Sequence, residues 1–139
     1  MAGWRLGFAV GNAEIVARIE NLQSHQFAGI FTAVQEAGVA ALTGPQESVE
    51  ERRALYETRR DRALAALDGH EARSEGTFFV WFHLPDGLTA ERLLEEHRVA
   101  VAPGEGFGDE GRGWARLSLA TANDKLGLGL ERLRGALGV

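Results

Sequence analysis

The stretch WARLSLATANDKLGLGL, residues 114–130, changes its hydrophobic period part-way along. From Trp114 to Leu119 the pattern alternates: Ala115, Leu117 and Leu119 fall on one face, Trp114, Arg116 and Ser118 on the other. That period of two is a strand with one buried side. Beyond Ala120 the spacing becomes helical, with Leu126, Leu130, Leu133 and Leu137 on one stripe. Thr121 to Asp124 reads as a capping box that opens this helix. Gly127 and Gly129 weaken it by about 1 kcal/mol each relative to alanine.

Working back from there, TFFVWFHL (77–84) reads as a strand with aromatics on both faces and is expected to be buried. Thr89 caps a short helix over TAERLLEEHR, and Val99 to Ala102 makes a further strand closed by Pro103-Gly104. PGEGFGDEGRG (103–113) contains GEGFG, a weak echo of a phosphate loop. It follows a strand but opens no helix and lacks Gly-Lys-Ser/Thr, so it reads as a turn-rich connection.

The first half is helical after a leading strand, WRLGFAV (4–10), which ends at Gly11-Asn12. Asn12 caps a helix with Ile15, Val16, Ile19 and Leu22 on one face, and Ser24 is a place where it restarts or kinks. Phe27, Ile30, Phe31, Val34 and Ala41-Leu42 extend the apolar stripe to Thr43-Gly44-Pro45, which stops it. Ser48-Val-Glu-Glu51 is a second capping box, opening a long helix through about Asp68 with Gly69 as its stop. Its middle, ERRALYETRRDR, is a solvated face with opposite charges at helical spacing. The layout predicts an α+β fold, one domain over residues 1–139, with helices covering one face of a small sheet.

Composition excludes several functions. The chain has 45% hydrophobic residues, 25% charged residues and a net charge of −5, so it offers no basic patch to nucleic acid. It has no cysteine, which removes disulfides and thiolate metal sites. No apolar run reaches membrane-spanning length and no signal-peptide layout opens the chain, so a soluble, cytoplasmic protein is expected. His25, His70, His83 and His97 never fall at metal-ligand spacing, and no serine or cysteine nucleophile constellation is visible.

Two arginines are candidates for chemistry. Arg116 shares a face with Ser118 and Trp114, which makes a wall for an anion, since a guanidinium grips a carboxylate with two parallel hydrogen bonds. Arg5 lies in an apolar run between Gly3 and Gly7, small residues that let a bulky group approach. Each also has a plainer reading: Arg116 as a surface arginine on an open sheet, Arg5 as an arginine paired with an acid.

In order and spacing, MAGWRLGFAVGN (1–12), GTFFVWFHLPDGL (76–88), VAVAPGEGFGDEG (99–111) and WARLSLATANDKLGLGLERL (114–133) resemble the class I/II, fold-type I, pyridoxal-phosphate-dependent aminotransferases. The resemblance implies the small C-terminal domain of such an enzyme, with residues 1–12 contributed to the large domain as a leftover strand. It implies that Arg5 contacts the phosphate of pyridoxal 5'-phosphate and that Arg116 holds the substrate α-carboxylate. In that pattern the Schiff-base lysine stands four residues ahead of Met1, so this chain holds no catalytic residue of the family and reads as truncated. The 15 basic residues are 14 arginines and Lys125, and Lys125 falls in the solvated first turn of the last helix, a poor place for a Schiff base.

The parent reaction is amino-group transfer between an amino acid and a 2-oxo acid. The chain alone is expected to be inactive, to hold the cofactor unstably, and to self-associate as a homo-oligomer, with an N-terminal segment exchanged between copies. The rival reading is a stand-alone carboxylate-binding module without catalysis.

Overall fold

A computed structural model describes residues 2–27 and 29–138; Met1, the first residue of the opening motif, lies outside them. The chain forms two compact units, Met1–Ser48 and Val49–Val139.

The first unit holds a 3-10 turn over Ala2–Trp4, helix α1 over Ala13–Phe27 and helix α2 over Thr32–Thr43. The strand expected at 4–10 does not form: Arg5 turns the chain with φ 56°, and residues 6–10 have no regular structure. A strand needs a partner for its ladder, and every regular element described in this unit is helical. Asn12 caps α1 as expected, its Oδ1 accepting from the N–H of Glu14 at 2.9 Å and of Ile15 at 3.3 Å. Ser24 neither restarts nor ends the helix; its hydroxyl donates back to the Glu20 carbonyl at 2.8 Å and α1 continues to Phe27. Gly44 closes α2 with its N–H on the Ala40 carbonyl. Leu6 packs over buried Gly38, where a Cβ would collide with the leucine side chain. The apolar stripe of α1 is otherwise open: Ile15, Ile19 and Leu22 are all exposed.

The second unit carries the sheet. Helix α3 (Glu47–Ala66) is followed by strands β1 (Ala72–Arg73) and β2 (Phe79–His83) and helix α4 (Ala90–His97). Strands β3 (Ala102–Pro103) and β4 (Trp114–Ser118) and helix α5 (Asn123–Leu137) complete it. The order across the sheet is β1-β2-β4-β3, and every neighbouring pair is antiparallel. Val80 and Phe82 of β2 and Ala115 and Leu117 of β4 point to one side. They meet Ala63, Ala66 and Leu67 around the end of α3, Leu93 of α4, and Leu126, Leu130 and Leu133 of α5. This apolar layer is the core of the unit, and the other face of the sheet carries no helix from this set.

Several local expectations change. Ser48 lies inside the first turn of α3, which already starts at Glu47 just after Pro45, so no Ser48 capping box is built. At α5 the N-cap position falls on Ala122, one residue past Thr121, and Asn123 Oδ1 instead accepts from Arg59. Strand β2 is not buried on both faces; its aromatics alternate between the core and the open side. Val99 does not begin a strand, because its N–H turns back to the Leu93 carbonyl at 2.9 Å and closes α4 beyond Arg98, whose φ is 58°. Thr89 does cap α4, accepting from the Arg92 N–H at 3.2 Å.

Candidate functional site

The register of β2 against β4 decides what stands on the open face. Phe79 pairs with Ser118, Trp81 with Arg116, and His83 with Trp114, so these six residues share the side opposite the core. Trp81 and Trp114 stack with centroids 6.1 Å apart and planes 13° apart. His83 meets Trp114 edge-on at 5.3 Å, and the Arg73 guanidinium lies over the same indole at 5.6 Å.

A loop brings one more ring to this face. The 3-10 turns Gly104–Phe107 and Asp109–Gly111 fold back on each other so tightly that a Cβ on Gly104 would collide with the backbone of Gly111 and Trp114. That close approach sets Phe107 against Trp81, edge to face, at 5.6 Å. Half-buried Arg116 then lies against two rings, its Cζ 4.0 Å from the Phe79 centroid and 4.4 Å from that of Phe107.

Among the described residues Arg116 makes no ion pair and no hydrogen bond through its guanidinium, in contrast to Arg92 and Arg53, which bond to Glu96 and to Glu50. No buried side-chain nitrogen or oxygen among them lacks a partner, so the unpaired Arg116 guanidinium is not sealed from solvent. The expected companion hydroxyl is engaged differently: Ser118 Oγ accepts from the Ala120 N–H at 3.3 Å in a local turn. The sequence reading placed Arg116 and Trp114 on this face. It missed Phe79 and Phe107 as neighbours of Arg116, since the first follows from strand register and the second from a glycine-closed loop.

Arg5 lies in the other unit and is exposed, with a left-handed backbone that costs an ordinary residue about 1–2 kcal/mol. No atom would meet a Cβ built on Gly3 or Gly7 within 4 Å, so the backbone on either side of it is open to approach. Among the described residues it has no ion pair. Lys125 is exposed in the first turn of α5.

The family described as aminotransferase class I and II matches residues 1–133. The chain belongs to the class I and II aminotransferases. An LL-diaminopimelate aminotransferase of Moorella thermoacetica is 41% identical over 99% of this chain and 37% of its own length. An L-glutamine--4-(methylsulfanyl)-2-oxobutanoate aminotransferase of Bacillus subtilis is 43% identical over 91% of this chain and 33% of its own length. Among solved structures, an aminotransferase from Staphylococcus aureus matches with a TM-score of 0.88 at 35% identity, over 99% of this chain and 39% of that one. An aromatic aminotransferase from Pyrococcus horikoshii matches with a TM-score of 0.86 at 36% identity. The chain thus spans about a third of the length of the curated aminotransferases it matches.

Aminotransferases of this family normally use pyridoxal 5'-phosphate. This chain's residues fit that group in one respect, the exposed cation of Arg5 as a phosphate contact. Lys125, the one lysine of these 139 residues, stands exposed on a helix turn, which is no dry site for a Schiff base.

Proposed function

We propose that this chain is the C-terminal, small-domain portion of a pyridoxal-phosphate-dependent aminotransferase whose reaction is amino-group transfer between an amino acid and a 2-oxo acid. In this reading Arg116 holds the substrate α-carboxylate, Arg5 contacts the cofactor phosphate, and residues 1–12 belong with the large domain. The observation that supports it most is Arg116 itself, in a chain of this family: a guanidinium held by rings, with its hydrogen-bonding edge turned to solvent. The relatives carry different amino acids in their names, whereas an α-carboxylate is common to all amino acids, so the arginine binds what the substrates share.

The 139-residue chain by itself has no turnover in this account, because binding without an acid–base lysine moves no proton at Cα. A coupled assay of the purified chain, supplied with pyridoxal 5'-phosphate, glutamate and pyruvate, is expected to form no alanine. Alanine formation above the protein-free background that is lost in Lys125→Ala would refute that expectation. Open apolar side chains such as Ile15, Leu22 and Phe31 also favour a homo-oligomer, with the N-terminal segment exchanged between copies. Light scattering that finds a monomer at high concentration argues against it.

A second reading, a carboxylate-binding module without catalysis, is supported by the separate core of the unit that carries Arg116. Both readings have Arg116 bind pyruvate, and a native product of 15.1 kDa in the source cell, instead of one much larger, distinguishes this one.

A further inference from the structure

We propose that Phe79 and Phe107 are positioning residues for Arg116, gripping its guanidinium by both faces and leaving its N–H edge outward for a carboxylate. The inference rests on the carboxylate-binding reading of Arg116 and deepens it.

A guanidinium carries all its donors in its plane and none on its faces. An acidic partner can orient it only by occupying the same N–H groups that a ligand carboxylate needs. Arg92 illustrates this, since its Nε and Nη2 are taken by the two Glu96 oxygens at 2.8 and 3.0 Å. Aromatic faces attract the cation without using any donor. Arg116 lies over two such faces, at 4.0 and 4.4 Å, and has no ion pair among the described residues.

Both rings are themselves held. Phe79 belongs to β2, whose ladder with β4 fixes its height relative to Arg116, and Phe78 backs it at 4.5 Å. Phe107 is more than half exposed. Its position depends on the Gly104–Gly111 approach and on the edge of Trp81. Phe107 thus lies against Trp81 and over the Arg116 cation, and the second contact gives that cation a face without taking any of its donors.

The test is side-chain NMR of Arg116 in the 139-residue chain, with pyruvate as the probe. Rings over both faces shift the Arg116 Hδ and Hε signals upfield. Phe107→Leu and Phe79→Leu are each expected to return them toward ordinary arginine positions, and Phe107→Tyr to keep them shifted. Pyruvate affinity is expected to fall by roughly twofold to fivefold in Phe107→Leu and to be recovered in Phe107→Tyr. Backbone amide spectra establish that each variant is folded, which for exposed Phe107 is expected.

Ordinary Arg116 shifts in the unsubstituted chain, or shifts that neither leucine variant moves, overturn the proposal. Loss of pyruvate binding in Arg116→Ala with undiminished binding in Phe107→Leu overturns the positioning role alone. Equal binding by Arg116→Ala, or no binding by the unsubstituted chain, overturns the carboxylate reading beneath it.

Discussion

Gly104→Ala tests the loop that places Phe107. A Cβ on Gly104 would enter the space of the Gly111 carbonyl, the Trp114 carbonyl oxygen and the Gly111 carbonyl carbon, all of them backbone atoms. Flexible side chains can step aside from a new methyl, but backbone in two consecutive turns cannot do so locally. Gly104 is not in the left-handed region, so the cost is steric and not conformational. Overpacking of this kind costs about 1–3 kcal/mol, and backbone obstacles place Gly104→Ala toward the upper end, about 2–3 kcal/mol. With a urea slope of about 1–2 kcal/mol/M, the unfolding midpoint should fall by roughly 1–3 M. Gly106→Ala is the matched control, two residues along the same turn, where a Cβ meets nothing within 4 Å. It should stay within about 0.5 kcal/mol of the parent. Gly104→Ala should also release Phe107 and move the Arg116 side-chain signals. Equal midpoints for the two alanine variants would refute the close-approach reasoning.

Other perturbations follow from the same geometry. Arg59 donates from Nη1 to the carbonyl of fully buried Leu119 at 2.8 Å and from Nε to Asn123 Oδ1 at 3.0 Å, joining α3 to the end of β4 and the start of α5. Arg59→Ala should cost about 1–3 kcal/mol in denaturant unfolding, and a change of only a few tenths would show that water replaces the guanidinium without loss. The hydrogen bond from Arg92 holds the Glu96 carboxyl below the usual carboxylate range. A lowered folded value stabilises the fold at neutral pH and loses that effect as pH falls through the folded value. The difference in Tm between the parent and Glu96→Gln should therefore shrink on acidification, by a small amount for so exposed a pair, and a pH-independent difference would contradict the assignment.

Much of the second unit is legible in the sequence because burial there is one-sided. WARLS alternates, and the structure buries Ala115 and Leu117 while leaving Arg116 on the open face. The leucine stripe of α5 is buried at Leu126, Leu130 and Leu133, as helical spacing requires. Asn12 and Thr89 cap their helices because a short side chain just ahead of a helix has a local partner within reach. Other local motifs mislead by one or two residues: Thr121 and Ser48 belong to capping-box patterns, yet the helices begin at Asn123 and Glu47.

What the sequence does not carry is pairing. WRLGFAV has strand composition, but strand structure depends on a neighbour that no local pattern supplies, and Arg5 takes a turn conformation instead. The two-residue β1 is too short to have a period, and it exists only because Ala72 and Arg73 lie beside Phe82 and Trp81. The clamp on Arg116 is non-local in the same way. Phe79 is 37 residues from Arg116 in the chain (116 minus 79) and reaches it through register. Phe107 lies in a glycine-rich stretch whose composition signals a turn, while its position over the guanidinium follows from the fold of that turn.

The most direct test of the central claim is a pyruvate titration of the 139-residue chain and of Arg116→Ala, followed by the amide and arginine side-chain signals. The account predicts saturable shifts centred on Arg116 and its neighbours Phe79, Trp81 and Phe107, and their loss in a folded Arg116→Ala chain. Binding of equal strength in both chains, or shifts centred elsewhere, would contradict it.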